Sequence, residues 1–487
     1  MKNLKLNYIY NTIYQLLLLI TPLITTPYTS RVLGADGIGE YSFTASIVSY
    51  FTMFAVLGTN TYAQREIAYN QTDKKKRSNI FWEMVLFRSI TSIIAIAFYC
   101  IILFGVRFRA IYLIQMLTII SVATDITWFL QGLEEFGKTV FRNVLFKIIN
   151  IAFVLLFIRA KEDLNVYVFG ICFLQFLSTL SLWTYVPKYV EKVKISEINV
   201  KKHLKSTLLL FIPTVAIQVY TVLDKTMIGM FSIDSIENGY YEQSLKLSRM
   251  ILTIITSLGT VMVPRIGKLF LSGETQLIKK YMYRSYNFVW FLSIPLAFGL
   301  IGISKNLVPW FYGPGYDKVV ELQSILALLV IAVGISNVTG IQYMVPTKKE
   351  KMFNICVICG SVLNFALNLL LIPRLLSVGA AIASVSAEFF ISILQLFLIR
   401  KELSWKNILL MSRNYILAGI IMFVTITEVA ANMSANIVNS CILVLTGFFV
   451  YMLVLVILRD NFLCNDVFKT ITSLMRRLIR RDLFEKY

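Results

Sequence analysis

The chain has 487 residues, 57% hydrophobic and only 15% charged, with a mean hydropathy of +0.71. A soluble protein carries about 25% charged residues, so there is too little charge here to cover a water-facing surface. That excludes a cytosolic enzyme, a secreted disulfide scaffold and a disordered binder, and predicts an all-α polytopic membrane protein. Lys and Arg outnumber Asp and Glu by 47 to 27, a formal charge of +20.

In chain order, the first apolar stretch runs from about 8 to 30. It is long enough to cross about 30 Å of hydrocarbon, and no small-x-small cleavage site follows it, so it is expected to be retained as a helix. Thirteen more stretches follow, at about 39–62, 80–105, 110–131, 140–158, 165–186, 205–231, 240–263, 285–304, 319–345, 352–373, 378–399, 408–429 and 438–458. The expectation is about fourteen transmembrane helices joined by loops too short for a catalytic domain.

Counted on alternate sides of these spans, Lys and Arg divide 35 to 10. The rich side holds the N-terminus, the run Lys74-Lys75-Lys76-Arg77, the six lysines of 188–205 and the C-terminal tail. Basic loops mark the cytoplasmic side, so both termini are expected inside, and the excess charge needs no nucleic acid to explain it.

The two halves echo each other. Gly39-x-Tyr41, Leu57-Gly58-Thr59 and Arg65 recur in the same order as Gly239-x-Tyr241, Leu258-Gly259-Thr260 and Arg265. The string Asn150-x-Ala152-x-x-Leu155-Leu156 recurs as Asn364-x-Ala366-x-x-Leu369-Leu370. Six spans per repeat is an even number, so both repeats enter from one side and are expected to be related by an axis along the membrane normal. This gives an N-terminal lobe over 1–203, a C-terminal lobe over 204–402, two additional helices over 403–458 and a basic amphipathic tail over 459–487.

Ionisable groups within spans are expensive and are functional candidates. Asp224 and Lys225 both fall inside the seventh span and, as neighbours, cannot face one another. Arg88 and Glu83 lie in the third span, where an ion pair within the lobe competes with a ligand site. Asp125 and Glu388 are further acidic candidates. Asn364 and Asn368 are expected to make interhelical hydrogen bonds. The single His203 falls in a Lys-rich cytoplasmic loop, which leaves carboxylates as the carriers of any coupled proton. Cys356-x-x-Cys359 lies on an apolar helix with no second pair, and reads as packing rather than as a metal site. No nucleotide-binding, zinc-protease or nucleophile-elbow motif is present, so neither an enzyme nor a cofactor is expected.

Several stretches in order resemble the Wzx-type polysaccharide-biosynthesis flippases of the multidrug/oligosaccharidyl-lipid/polysaccharide exporter superfamily. They are Arg31-Val-Leu-Gly-Ala-Asp-Gly-Ile-Gly-Glu-Tyr41, Val222-Leu-Asp-Lys-Thr-Met-Ile-Gly229, Met262-Val-Pro-Arg265, and Asn364 through Ile372-Pro-Arg-Leu to Glu388. The resemblance implies a flippase in a bacterial inner membrane. It would move undecaprenyl-diphosphate-linked oligosaccharide units outward by alternating access for O-antigen, capsule or exopolysaccharide assembly. It also implies cationic residues facing the diphosphate, best matched by Arg31, Lys225 and Arg249, with Arg88 added from its place within a span. Asp224, Glu388 and Asp125 are the candidates for coupling to H⁺ or Na⁺, and the membrane potential is the alternative. Expected partners are the lipid-linked substrate, membrane lipids, and polysaccharide polymerase and chain-length proteins. A lipid II flippase and a multidrug or cation antiporter of the same superfamily are the rival readings.

Overall fold

The computed structural model describes residues 4–105 and 107–463; the tail expected to be amphipathic lies almost wholly outside them. Among the described residues the regular structure is helical, in the order α1 (Leu4–Val56), α2 (Thr59–Tyr69), α3 (Lys74–Ile102), α4 (Arg109–Thr124), α5 (Thr127–Gly132), α6 (Phe136–Phe157), α7 (Leu164–Ser181), α8 (Val186–Tyr189) and α9 (Lys201–Phe231). There follow α10 (Ile236–Leu271), α11 (Thr275–Tyr312), α12 (Asp317–Leu326), α13 (Leu329–Ser336), a π-helical turn (Asn337–Met344), α14 (Glu350–Leu375), α15 (Ser377–Leu398), α16 (Trp405–Met411), α17 (Arg413–Ala431) and α18 (Ile437–Ile457). Twelve helical stretches among the described residues are long and apolar enough to cross a membrane. The chain is an all-α, multi-pass membrane protein.

The first helix carries two predicted spans on either side of Gly34, whose φ of 71° breaks the helical run. A side chain there would be strained, which is why the bend falls on glycine. The predicted second span ends where Leu57 and Gly58 take φ values of 43° and 72°. Its repeat counterpart, Leu258-Gly259-Thr260, stays inside α10, so the shared motif interrupts the helix in one half only.

Hydropathy also runs through two breaks it cannot register. The predicted fourth span stops at Asp125, which caps α4 in an extended conformation and accepts the Thr127 amide at 2.9 Å. The thirteenth is divided at Ser412, between the short α16 and α17. There the Ser412 hydroxyl donates to the Leu409 carbonyl at 2.7 Å; such side-chain to backbone bonds compete locally with the helix, while a window of about eighteen residues sees only the mean.

The chain forms two compact units, residues 1–243 with 361–383, and residues 244–360 with 384–487. In the first, Phe81, Trp128, Phe129 and Trp183 form an aromatic cluster with centroid separations of 4.7 to 5.9 Å from Phe81. In the second, α11 packs with α17 and α18 around Phe291, Tyr415, Met422 and Tyr451. Lipid tails are as apolar as these side chains, so close packing and hydrogen bonds hold such helices together rather than escape from water. The buried Tyr451 hydroxyl accordingly donates to the Phe291 carbonyl at 3.0 Å.

Candidate functional site

The seventh and eighth predicted spans, α9 and the start of α10, meet in the first unit through two successive pairs of polar residues. Asp224 is 5% exposed. It accepts the Tyr241 hydroxyl at 2.5 Å and the Asn368 amide at 2.6 Å. One position along, the half-buried Lys225 pairs with Glu242 at 2.5 Å, and Glu242 also accepts the Ser42 hydroxyl at 3.1 Å. Thr226 completes the strip through Ser46 and Tyr50, at 2.9 and 3.2 Å.

Successive helical residues point about 100° apart, so Asp224 and Lys225 must take different partners. They do so because Tyr241 and Glu242 are offset in the same way on the facing helix. The expected hydrogen bonding of the two asparagines is present, since Asn368 also donates to the Asn364 carbonyl oxygen of the side chain at 3.0 Å. Both are fully buried, and Asn364 Nδ2 and Asn368 Oδ1 lack a hydrogen-bond partner. The group is therefore an acid-centred polar cluster beside a compensated cation. An isolated charge at this depth would be costly; its arrangement in pairs reduces that cost.

The remaining candidates are dispersed. Arg31 is exposed on α1 beside the Gly34 bend. Arg88 is 1% exposed and donates through Nη1 to the Asp125 carbonyl at 2.6 Å. Asp125 itself receives the Thr127 amide and hydroxyl. Arg249 is exposed, and Glu388 half-buried, in the second unit.

Two neighbours are placed otherwise than expected. Glu83 takes Lys202 at 2.7 Å and His203 at 2.9 Å, rather than Arg88. His203, read as a loop residue, is 2% exposed at the start of α9, with its Nδ1 2.8 Å from the Tyr62 hydroxyl. The Tyr62 hydroxyl donating to Nδ1 and Nε2–H donating to Glu83 satisfies a neutral ring. Nothing in the Lys-rich segment marks this; the signal is the distant Tyr62 and Glu83, which only folding brings together.

The fold defines the class. By structure the chain is similar to a lipid II flippase, MurJ, in an inward closed conformation, with a TM-score of 0.70 at 18% identity, over 93% of this chain and 99% of that one. It is also similar to a multidrug resistance MATE family transporter of the MOP superfamily in an inward-facing conformation, with a TM-score of 0.61 at 13% identity, over 82% and 96%. Residues 4–270 match the family described as "Polysaccharide biosynthesis protein", and the chain belongs to that family. It is 25% identical over 411 residues to a protein of Escherichia coli (strain K12) described as "Putative O-antigen transporter", covering 82% of this chain and 97% of that one. These relatives are transporters and flippases, not enzymes, and the resemblance to polysaccharide-biosynthesis proteins read from the sequence holds at the level of the family.

Proposed function

We propose that the chain is a flippase for undecaprenyl-diphosphate-linked oligosaccharide repeat units, carrying them from the cytoplasmic to the outer leaflet of a bacterial inner membrane. The observation that carries this reading is the alignment with nearly the whole of the Escherichia coli protein described as an O-antigen transporter. The ionic strip of α9 and α10 supports it, because paired charges within a membrane span serve a polar path rather than lipid packing.

A headgroup of several sugars and about two phosphate charges cannot enter hydrocarbon, since bare charges and unpaired hydroxyls each cost several kcal/mol there. Alternating access removes the barrier while the polyprenyl tail stays in lipid. Lys225 and Arg31 are the cations we assign to the diphosphate in the first unit, and Arg249 in the second. Arg88, committed to the Asp125 carbonyl, is the weakest member of the set. Asp224 is our candidate for a coupled H⁺ or Na⁺. In this reading both termini face the cytoplasm, and a reporter fused at Lys194 gives a cytoplasmic signal.

Depletion of the chain tests the function. Lipid-linked oligosaccharide should accumulate in the inner leaflet and disappear from the surface polymer, and purified chain should restore flipping in vesicles loaded with that lipid. Restored flipping of lipid II alone, or efflux of a cationic drug alone, would transfer the chain to one of the rival readings.

A further inference from the structure

Inside the first unit, α1, α4 and α7 enclose a half-open cavity of about 120 Å³. Its polar lining comes from Ser49, Thr52, Gln115, Thr118 and Gln175, with Tyr41 as an aromatic wall. Gln115 stands six residues into α4, about 9 Å along the helix from Arg109. It is 2% exposed, and neither its side-chain oxygen nor its nitrogen has a hydrogen-bond partner. Natively buried amides are almost always satisfied, so an unsatisfied one lining a cavity marks a place where something polar binds.

The lining defines the chemistry of that occupant. No charged side chain contributes to it, which disfavours a bare cation or a phosphate. Two carboxamides offer both donors and acceptors, and the hydroxyls of Ser49 and Thr52 donate to carbonyls of their own helix at 2.6 and 2.9 Å, leaving lone pairs as acceptors. A ligand whose groups both donate and accept fits this set, as sugar hydroxyls and acetamido groups do. The Tyr41 ring, held edge-on to Tyr167 at 5.6 Å, adds the apolar wall that the C–H face of a pyranose needs. The space would hold about four waters at about 30 Å³ each, and hydroxyls on one edge of a sugar ring can replace such a cluster. Gln175 is exposed, so the cavity opens on its side.

We propose that this cavity is a neutral sugar subsite, with Gln115 and Gln175 as specificity-determining residues that read hydroxyl or acetamido groups of the glycan, separately from the cations assigned to the diphosphate. The proposal rests on the flippase reading and refines it.

Native mass spectrometry of the full chain tests it. The probes are the lipid-linked oligosaccharide extracted from depleted cells, and its two products after mild acid hydrolysis of the glycosyl–phosphate bond, the released glycan and undecaprenyl diphosphate. The expected result is binding of the released glycan to the parent chain, reduced at least tenfold in Gln115→Leu and in Gln175→Leu, with undecaprenyl diphosphate binding unchanged in both. Unchanged lipid-diphosphate binding also certifies the fold, and Gln175→Leu, at an exposed position, guards against loss of folding in Gln115→Leu. Equal glycan binding by parent and variants, a parallel loss of undecaprenyl diphosphate, or no glycan binding by the parent chain would overturn the subsite; the last would leave a water-filled cavity. Failure of the flippase reading would appear elsewhere, as unaltered surface polymer on depletion.

Discussion

At the scale of single residues, the pairing of Lys225 with Glu242 separates two roles that a simple deletion confuses. Removing one partner of a buried ion pair strands the other, at a cost of about 3–5 kcal/mol when burial is complete; here both side chains keep 17% and 15% exposure, so the cost is smaller. Lys225→Ala should lower the folded amount somewhat and export strongly. The exchanged double variant, Lys225→Glu with Glu242→Lys, should recover the folded amount while export stays low, because the cation has left its position. Recovery of both, by surface polymer and by size-exclusion yield, would make the pair structural. His203 gives a second test. Burial holds its ring below the ordinary histidine pKa, against the opposing pull of the Glu83 hydrogen bond and charge, while Lys202 pushes the same way as burial and Glu66 opposes it. A histidine whose folded pKa is depressed stabilises the fold above its unfolded value, near 6.5, and that stability is lost as pH falls through the folded value. Melting temperature should therefore decline from pH 7 downward below 6.5, and His203→Gln should flatten the decline. Asp224 and Lys225 were legible in the sequence as charges where charge is expensive. Their partners were not, because hydropathy carries no information about which distant helix supplies a hydroxyl or a carboxylate.

At the scale of elements, the repeat motif acquires a physical meaning. A Cβ on Gly39 would lie 1.7 Å from the Ser235 carbonyl oxygen, and one on Gly239 would lie 1.9 Å from the Ala35 carbonyl oxygen. Positions 35 and 39 thus meet 235 and 239 reciprocally, each glycine against the residue 200 places from its own fourth neighbour. Backbone against backbone leaves no flexible side chain to yield. Gly39→Val and Gly239→Val should each reduce export at least tenfold, with a lowered melting temperature, measured on full-length protein. Wild-type export by Gly239→Val would show that this close approach is dispensable. The spans themselves were readable because length and apolarity suffice to define them. The breaks at Asp125 and Ser412 were not, since each turns on one short-range hydrogen bond, the Asp125 carboxylate accepting the Thr127 amide and the Ser412 hydroxyl donating to the Leu409 carbonyl. The carboxamide cavity was equally hidden: Gln115 and Gln175 are unremarkable as letters, and only the packing of α1, α4 and α7 brings them together.

At the scale of the whole molecule, the question is what makes transport directional. The substrate proposed above would carry about two negative charges outward, and an inside-negative potential would favour that movement by about 2.3 kcal/mol per charge per 100 mV. Potential alone can therefore bias the cycle without any ion site. The competing device is Asp224, whose two carboxylate oxygens accept hydrogen bonds from Tyr241 and Asn368, with Glu388 as the acidic candidate of the second unit. A carboxylate that binds H⁺ or Na⁺ in one half of the cycle changes its charge, and its removal should abolish response to the corresponding gradient. A carboxylate that serves only to hold Tyr241 and Asn368 should, when made an amide, weaken folding and leave coupling unaltered. Vesicles carrying a set potential with neither a pH nor a Na⁺ gradient separate these. We expect the parent chain to flip under potential alone, and the Asp224→Asn, Glu388→Gln double variant to lose the additional rate that an imposed H⁺ or Na⁺ gradient gives the parent. A double variant that responds to both gradients as the parent does would remove these carboxylates from coupling and move the ion site to another group, whereas a parent chain that gains no rate from either gradient would leave the potential acting on the proposed anionic substrate as the sole drive.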